Sequence, residues 1–409
     1  MTEKKTNKLK ILNDPIYGFI TIPSTLICDL IDHPYFQRLR RISQMGLSHL
    51  VYPGAHHTRF HHAIGSMHLM QKAIRNLRLK EVAISDEEAN ALCIAILLHD
   101  IGHGAFSHAL EQSIVTGIHH EAISLKFMEV LNEEFNGQLS LAITIFTQNY
   151  HRKFLYQLIS SQLDMDRLDY LNRDSFYTGV AEGNISSERL ITMLNVKNDN
   201  LVIEEKGIYS VEKFIVARRL MYWQVYLHKT GLVAEKLLGK ILKRAKELTL
   251  LGEKLPASKA FTYFLQRQIS EDNFTNETLK TFAKLDDYDV FSAIKEWISH
   301  EDIVISRLSE SLINRILPKI ILQKEPFTST QINDIKQKIK DKFKFTDSEL
   351  DYFVYHGKIE NQAYDATKNN IQILYKNGRI KDVTEASDHL NLQALSIPVT
   401  KYYICYPKK

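Results

Sequence analysis

The chain has 409 residues, with 52 Lys and Arg against 48 Asp and Glu. This nearly even balance does not indicate a nucleic-acid or membrane partner. Hydrophobic residues make up 44% and charged residues 24%, which is typical of a globular protein and excludes global disorder. No apolar run reaches the roughly 18 residues of a membrane span, and MTEKKTNKLK at the N-terminus lacks the apolar stretch of a signal peptide. We therefore expect a cytoplasmic protein. Cys28, Cys93 and Cys405 are too scattered for a disulfide framework or a CxxC metal site.

Apolar residues at helical spacing, with only 16 Gly and 9 Pro, predict a mainly α fold. The predicted elements are, in chain order, two short helices over 24–45 broken at Pro34, helices over 59–79, 85–99, 119–135, 139–148 and 154–178, a β-hairpin over 201–211, a long helix over 211–248, helices near 258–270, 287–299 and 329–342, and a β-hairpin over 371–383. Ser85 begins a capping box, and Asn377-Gly378 is a strong hairpin signal.

These elements predict three parts of the chain. Residues 1–9 form a flexible N-terminus, residues 10–250 a helical core, and residues 251–409 a small α+β region. We expect the C-terminal region to pack on the core and to serve in oligomerisation.

Ten of the 17 histidines fall between His56 and His120, where an even spread would place about three. Imidazole is the commonest metal ligand and transfers protons near neutral pH. Within this window, His99-Asp100 follows an apolar helix. A His-Asp doublet can present both side chains to one divalent cation only near a helix end.

Two ligands hold a cation weakly, so the hypothesis requires more donors. His62 can supply a third from the preceding helix and Asp166 a fourth from a later one. The His62…His99-Asp100…Asp166 set has 36 and 65 intervening residues. This is the spacing pattern of the HD-domain phosphohydrolases.

Seven motifs, in order, resemble those of the deoxynucleoside triphosphate triphosphohydrolases: NDPIYGFI, FQRLRRISQMG, VYPGAHHTRFHHAIG, LLHDIGHGAFSH, HHEAIS, LDMDRLDYLNRDSFYTG and YLHK. The similarity covers roughly residues 10–250. It is greatest to the branch that contains the vertebrate SAM-and-HD-domain dNTPase and bacterial HD phosphohydrolases. The resemblance implies an HD-domain helical core and a metal-dependent enzyme that converts a dNTP into a deoxynucleoside and inorganic tripolyphosphate, with a dGTP-like preference among the options.

The resemblance also implies roles for single residues. His62, His99, Asp100 and Asp166 would hold the cation, expected to be Mn²⁺, Mg²⁺ or Fe, with Zn²⁺ or Ni²⁺ as alternative occupants. The residues implied at the reacting phosphate are His108 and His120, with Glu111 orienting one of them. A proton donor beside the leaving alkoxide accelerates the reaction by about 10²–10⁴-fold, and the sequence leaves open which histidine is that general acid.

The triphosphate and the nucleoside need their own contacts, because the chain has no Gly-rich phosphate loop. Four basic residues resemble, by position, the phosphate and base contacts of the family: Arg59, Arg167, Arg218 and Lys229. Its sugar contacts resemble Gln44, Tyr170, Asp174 and Tyr226, the last as the aromatic wall that excludes a 2′-hydroxyl. The remaining predicted substrate contacts are Met45, His103 and Tyr222. For His103 the alternatives are a partner of the metal ligands or a helix-end cap, and for Tyr222 a place in the core.

Five residues outside the metal set resemble the guanine-nucleotide activator site of the vertebrate enzyme, where the nucleotide bridges subunits: Lys10, Asn13, Asp32, Gln37 and Arg40. A carboxylate can accept from guanine N1–H and N2–H, and cationic side chains neutralise phosphate. This would make the chain a homo-oligomer, a dimer or tetramer. The alternative is that Asp32 caps a helix and Arg40 forms a surface ion pair.

Other polar residues near the motifs have structural interpretations. We expect His56, His57, His61, His68 and His119 to face solvent or to be satisfied by loop carbonyls. Asp164 and Asp169 are expected as ion-pair partners of Arg167 or Arg173. The lysines within KLLGKILKRAK alternate with Leu and Ile at helical spacing, which favours a solvated helix face over a nucleic-acid site.

Two other functions remain open at this stage. One is an HD 5′-nucleotidase or phosphodiesterase that releases orthophosphate. The other is a non-catalytic nucleotide sensor or single-stranded nucleic-acid binder, which would need neither metal ligands nor proton-transfer histidines. The sequence does not decide the base preference, the native metal or the oligomer size.

Overall fold

The computed structural model describes residues 10–106, 110, 114–115, 117–367, 370–388 and 392–408. The fold is mainly α, as predicted. The helices are α1 Thr25–Asp32, α2 Pro34–Gln37, α3 Arg59–Leu79, α4 Asp86–Leu98, α5 His120–Glu134, α6 Ser140–Phe146, α7 Lys153–Ile159, α8 Met165–Thr178, α9 Ser187–Met193, α10 Ile208–Met221, α11 Lys229–Leu250, α12 Lys259–Leu265, α13 Asn276–Phe282, α14 Asp287–Trp297, α15 Ile303–Ile313, α16 Ser329–Phe343, α17 Asp347–Phe353, α18 Val383–Ala386 and α19 Leu392–Leu395. A π-helical segment, Tyr222–Tyr226, follows α10. Within the described ranges, no helix is long and apolar enough to cross a membrane.

Three small sheets accompany the helices. Their strands are β1 Ile11–Asp14, β2 Gly18–Thr21, β3 Leu194–Lys197, β4 Asn200–Glu204, β5 Lys319–Gln323, β6 Tyr355–Asn361, β7 Gln372–Leu374, β8 Ile380–Asp382 and β9 Val399–Tyr406. The strand orders are β1-β2, β3-β4-β7-β8 and β5-β9-β6. The pair β4–β7 is parallel, with Ile203 opposite Ile373, so the C-terminal region completes a sheet that begins in the helical core.

Helices α3 and α8 pack closely at the centre of the core, and Gly65 allows this approach. A Cβ at Gly65 would lie 2.1 Å from both Asp169 Oδ1 and Arg173 Nη2. Any other residue would collide with this buried ion pair. A small residue on α3 therefore sets the distance between the two helices that carry His62 and Asp166.

Several predicted elements are confirmed. The helix over 59–79 matches α3, and Ser85 caps α4 by accepting the Glu88 N–H while the Glu88 carboxylate accepts the Ser85 N–H. The hairpin over 371–383 is β7–β8, with Gly378 in the left-handed region at φ +81°.

Other predicted boundaries are wrong. The single helix predicted over 154–178 is split, because the Asp164 side chain accepts the Arg167 N–H and starts α8 as a new helix. The hairpin predicted over 201–211 lies earlier, as β3–β4. Its turn is formed by Asn198 and Asp199, both at positive φ, whereas 205–207 is a 3₁₀ turn that leads into α10. The helix predicted over 211–248 is interrupted after the π-helical segment, at 227–228.

Candidate functional site

The four predicted metal ligands converge from three helices. His62 lies on α3, His99 and Asp100 follow α4, and Asp166 lies in the first turn of α8. The His62 Nε2 atom is 3.0 Å from Asp166 Oδ1 and 3.8 Å from Asp100 Oδ2. His99 Nε2 is 3.6 Å from the same Asp166 oxygen. Donor atoms of His62, His99 and Asp166 lie within 4.8 Å of one another, whereas Asp100 forms a second such group with His103 and His120.

Hydrogen bonds on the other side of each ring fix this orientation. The Nδ1 atom of His62 lies 2.8 Å from Asp169 Oδ2, and that of His99 lies 2.6 Å from the Ile96 carbonyl oxygen. An oxygen acceptor at Nδ1 selects the tautomer whose Nε2 lone pair is available. Among the described residues, the Nε2 atoms of both histidines are buried and have no hydrogen-bond partner. Orphaned imidazole nitrogens beside carboxylates fit a divalent cation.

The carboxylates beside His62 and His99 favour positive charge on these two rings. Burial opposes charge on His62, but the carboxylates of Asp166 and Asp169 outweigh this effect and raise the pKa of His62 to about 10. Burial acts against charge on Asp166 as well, yet the two histidines hold the pKa of its carboxyl far below the ordinary value. A bound cation would take the place of the proton that the carboxylates draw onto the imidazoles.

The predicted ion-pair roles of Asp164 and Asp169 are confirmed. Asp169 is fully buried and receives two bonds from Arg173, at 2.8 and 2.9 Å. Arg173 also donates to Asp14 at 2.8 Å. Asp164 accepts from the side chain of Arg167. Asp169 therefore acts on the site through His62.

A second group of polar side chains adjoins Asp100. Its Oδ2 accepts from Arg59 Nη1 at 2.5 Å, and its Oδ1 lies 3.3 Å from His103 Nε2. The His103 and His120 rings are stacked, with centroids 3.8 Å apart. Burial and the charge of Arg59 lower the pKa of His103 to about 3, so this ring is neutral at physiological pH. The predicted catalytic residues His108 and Glu111 lie outside the described residues.

Three of the predicted sugar contacts, Tyr170, Asp174 and Tyr226, lie in one cluster of side chains. Asp174 is buried, and its Oδ2 accepts from the Tyr226 hydroxyl at 2.7 Å. The Tyr226 ring lies edge-on to Tyr170 at 6.0 Å and to Tyr222 at 5.1 Å. The π-helical segment places both Tyr222 and Tyr226 in this aromatic group. π-Helical turns are frequent at functional sites.

The prediction that His57 faces solvent or a loop carbonyl is wrong. Its ring is buried, stacks on Tyr177 at 4.4 Å, and places Nε2 2.7 Å from Asp174 Oδ1. The Gln44 N–H donates to the His57 carbonyl at 3.0 Å, which joins two predicted sugar contacts through His57. The partners His57 and Asp174 are 117 residues apart, so no local pattern could have revealed this contact.

The other histidines without an assigned role are distributed differently. His56 and His119 are exposed, as predicted. For His61 the prediction fails, because its Nδ1 accepts the Thr58 N–H at 3.1 Å and caps α3 instead of meeting a carbonyl. The His68 ring is tilted against Tyr17 with ring centroids 5.2 Å apart, and among the described residues its buried Nε2 has no hydrogen-bond partner, so this prediction fails as well.

The remaining predicted substrate contacts lie around the tyrosines. Burial raises the pKa of Tyr170 well above its ordinary value, and the nearby charges of Arg218 and Arg167 oppose this rise. Among the described residues, the Nε atoms of both arginines and the Oε1 atom of Gln44 are buried without a hydrogen-bond partner. Met45 is buried in the core, and Lys229 is exposed at the start of α11. The two arginine N–H groups can donate to an anionic ligand, whereas the Gln44 Oε1 atom is an acceptor.

Four of the five predicted activator residues make contacts among themselves or with the core. Lys10 pairs with Asp32. Arg40 Nε donates to Gln37 Oε1 at 2.9 Å, and its guanidinium lies 3.5 Å from the Phe60 ring centroid. The alternative, in which Asp32 is a helix cap and Arg40 forms an ion pair, does not describe these contacts. Asn13 lies opposite Phe19 in the β1–β2 hairpin.

Comparison with known proteins identifies two family regions in the chain. Residues 59–174 match the HD domain and residues 185–263 the HD associated region. A phosphohydrolase from Bacteroides thetaiotaomicron, known from its crystal structure, is 53% identical, with a TM-score of 0.95 over 98% of this chain and 100% of that chain. The Bacillus subtilis protein YwfO is 32% identical over 397 residues, which cover 94% of this chain and 89% of that protein.

These matches define the class: the chain belongs to the HD-domain phosphohydrolase family. A Dictyostelium discoideum deoxynucleoside triphosphate triphosphohydrolase, the SAMHD1 homolog, is 32% identical over 271 residues, or 62% of this chain. The chain spans about half of that relative, 52% of its length.

Proposed function

We propose that the chain is a metal-dependent dNTP triphosphohydrolase, which yields a deoxynucleoside and inorganic tripolyphosphate. The observation that carries the proposal is the Asp174–Tyr226 hydrogen bond of 2.7 Å beside the His62, His99, Asp100 and Asp166 donors. A carboxylate and an aromatic wall suit a deoxyribose, and the metal donors with nearby arginines suit its phosphates. The name of the Dictyostelium relative supports the same substrate class.

The donor set would hold one divalent cation through His62, His99, Asp100 and Asp166. When bound, such a cation supplies positive charge that polarises a phosphoryl oxygen and activates water. Arg59, which pairs with Asp100, keeps a positive charge at the edge of this set.

The surrounding side chains would orient the triphosphate and complete proton transfer. Arg167 and Arg218 offer guanidinium N–H groups to phosphate oxygens, which arginine binds in a planar fork. Water adds to Pα as the Pα–O5′ bond breaks, and the leaving O5′ takes a proton from His108 or His120. The proton that the attacking water loses passes to solvent, from which that histidine regains its own. The neutral His103, stacked on His120, would keep that ring in one orientation.

Sugar selection would fall to the residues around Tyr226. A ring against C2′ excludes a ribose by steric conflict. Asp174 can accept from a 3′-hydroxyl with a lone pair that Tyr226 and His57 leave available. We further propose guanine-nucleotide activation through Lys10, Asn13, Asp32, Gln37 and Arg40 in a homo-oligomer, on the residue types alone.

Product analysis tests the proposal directly. Each of the four dNTPs is incubated with the metal-loaded protein, singly and in mixtures, and the products are separated by anion exchange. Tripolyphosphate with deoxynucleoside is the expected result. Orthophosphate alone would overturn the proposal in favour of an HD 5′-nucleotidase or phosphodiesterase. Nucleotide binding without any product would favour the non-catalytic sensor.

A further inference from the structure

One buried carboxylate of the C-terminal region connects two segments of the site. Asp287, the first residue of α14, accepts the Ser43 N–H at Oδ2, 2.8 Å away, and the Phe106 N–H at Oδ1, 2.9 Å away. These backbone groups belong to segments 63 residues apart in the chain. A carboxylate that accepts two backbone N–H groups fixes their relative position.

Both segments continue directly into site residues. Ser43 precedes Gln44, whose backbone bonds His57. Phe106 is the third residue after His103, and its φ of +49° is unusual for a residue with a side chain. A residue in this conformation persists only where its surroundings hold it. Asp287 supplies that restraint at the N–H, and Phe291 of α14 packs edge-on to the Phe106 ring at 5.2 Å.

The turn that follows the metal ligands is also held from its other side. Arg38 is completely buried, and its Nη2 donates to the Ile101 carbonyl at 2.6 Å. Its guanidinium lies 5.5 Å from the Phe127 ring centroid and 5.0 Å from that of Phe282. Beside Asp287, Asp286 accepts from Arg41 Nε at 2.5 Å.

These buried charges are not favourable for folding by themselves. Burial raises the pKa of Asp287 to about 6 and lowers the pKa of Arg38 to about 9, so each ionised form is disfavoured. Apolar side chains of similar volume often replace buried charges without loss of stability. The Asp287 carboxylate therefore serves to position the segments that it contacts and not to stabilise the fold. Asp287 also lies outside the residues that match the HD domain and the HD associated region.

We propose that Asp287 is a positioning residue, which fixes the Gln44 segment and the 101–106 turn relative to each other and so aligns the predicted sugar contact Gln44 with the predicted metal donors. The kinetic part of this inference rests on the proposed function. Misplacement of a substrate-positioning group by about 1 Å can reduce turnover by about 100-fold. Through Asp287, the C-terminal region would then help to position the site.

Three variants of the full chain test this role. Asp287→Ala removes both acceptors, Asp287→Asn retains one, and Asp289→Asn is a matched control on the same turn of α14, where Asp289 accepts only the Asp286 N–H among the described contacts. We expect kcat/KM for dGTP to fall about 10- to 100-fold in Asp287→Ala, less in Asp287→Asn, and less than twofold in the control. Deuterium exchange at 43–45 and 101–106 should rise in the same order, while the rest of the chain keeps its protection.

Each result has a definite meaning. Unchanged exchange at both segments in Asp287→Asn, or kcat/KM within twofold of wild type in Asp287→Ala, would overturn the positioning role. If Asp287→Ala does not fold, the comparison of Asp287→Asn with Asp289→Asn decides. If the wild-type protein hydrolyses no dNTP, the proposed function fails. The exchange measurement then still tests the positioning role without a substrate.

Discussion

The Tyr226 hydroxyl and the Asp174 carboxylate meet at 2.7 Å from two different elements, the π-helical segment and α8. The bond fixes the tyrosine ring, because a movement of the hydroxyl away from Asp174 would leave this buried carboxylate oxygen without its hydrogen-bond donor. We therefore expect the Tyr226 ring to exclude the ribose, and the Tyr226 hydroxyl to hold that ring in position.

Replacing Tyr226 separates these two contributions. In Tyr226→Ala, space opens for a 2′-hydroxyl, so the ratio of GTP to dGTP hydrolysis should rise about 10-fold or more. Tyr226→Phe is the matched control, since it keeps the ring and should change the ratio much less. The measurement is kcat/KM for both nucleotides. If the ratio stays unchanged in Tyr226→Ala while both activities persist, another group excludes the ribose.

His57 should matter through Asp174. His57→Phe keeps an aromatic ring against Tyr177 but removes the 2.7 Å contact with Asp174. Loss of a hydrogen bond to a buried charged group costs about 1–3 kcal/mol, so KM for dNTPs should rise about 5- to 100-fold. The preference for a dNTP over its 2′,3′-dideoxy analogue should decrease in the same variant. His56→Phe, on the exposed neighbour, is the control, and equal behaviour of the two variants would disprove the role.

Asp166→Ala should abolish turnover without unfolding the chain. The substitution deletes one of four donors, and the remaining three should hold a divalent cation too weakly. Metal content by elemental analysis should fall in parallel. Asp86→Ala, on the exposed first turn of α4, should leave metal content and activity unchanged. Activity above a few per cent of wild type in Asp166→Ala would show that the ligand set is wrong.

The activator residues predict a regulated oligomer. Addition of dGTP or GTP should raise dNTP hydrolysis with a coupling of about 1–3 kcal/mol. Asp32→Ala should remove this activation while basal turnover and metal content stay intact, because Asp32 lies outside the metal set and pairs with Lys10. Equal hydrolysis of single dNTPs with and without guanine nucleotide, over a wide concentration range, would assign these residues a structural role only.

Asp287 should also make stability depend on pH. Burial raises the pKa of its carboxyl from 3.8 to about 6, so the folded state binds this proton more tightly than the unfolded state. The resulting stabilisation is complete below about pH 4 and is lost as the pH rises through 6. A displacement of about two pH units corresponds to about 3 kcal/mol.

The Asp287→Asn variant carries no such proton and isolates this contribution. The free energy of unfolding of wild type minus that of Asp287→Asn should therefore decrease between pH 5 and pH 7.5, as measured by urea denaturation. An increase with pH over this interval would contradict the buried position of the charged carboxylate.

The candidate metal donors and the central helices could be predicted from the sequence, because the signals are local. The periodicity of 59–79, the Ser85 capping box and the His99-Asp100 doublet each occupy a short window. The family motifs then added Asp166 and the tyrosines. Boundaries failed where a side chain intervened, as at Asp164, whose carboxylate starts a new helix in the middle of an apolar pattern.

Only the tertiary structure decided which polar groups meet across the chain. His57 and Asp174 are 117 residues apart, and Phe106 and Asp287 are 181 apart. In each pair, the packing of other segments brings the two residues together, and neither residue type indicates which partner it will contact. The candidate metal donors were therefore predicted from composition, spacing and the resemblance to the family. The contacts of His57 and Asp287 follow from how α3, α8 and α14 pack, because burial makes their hydrogen bonds obligatory only after these elements come together.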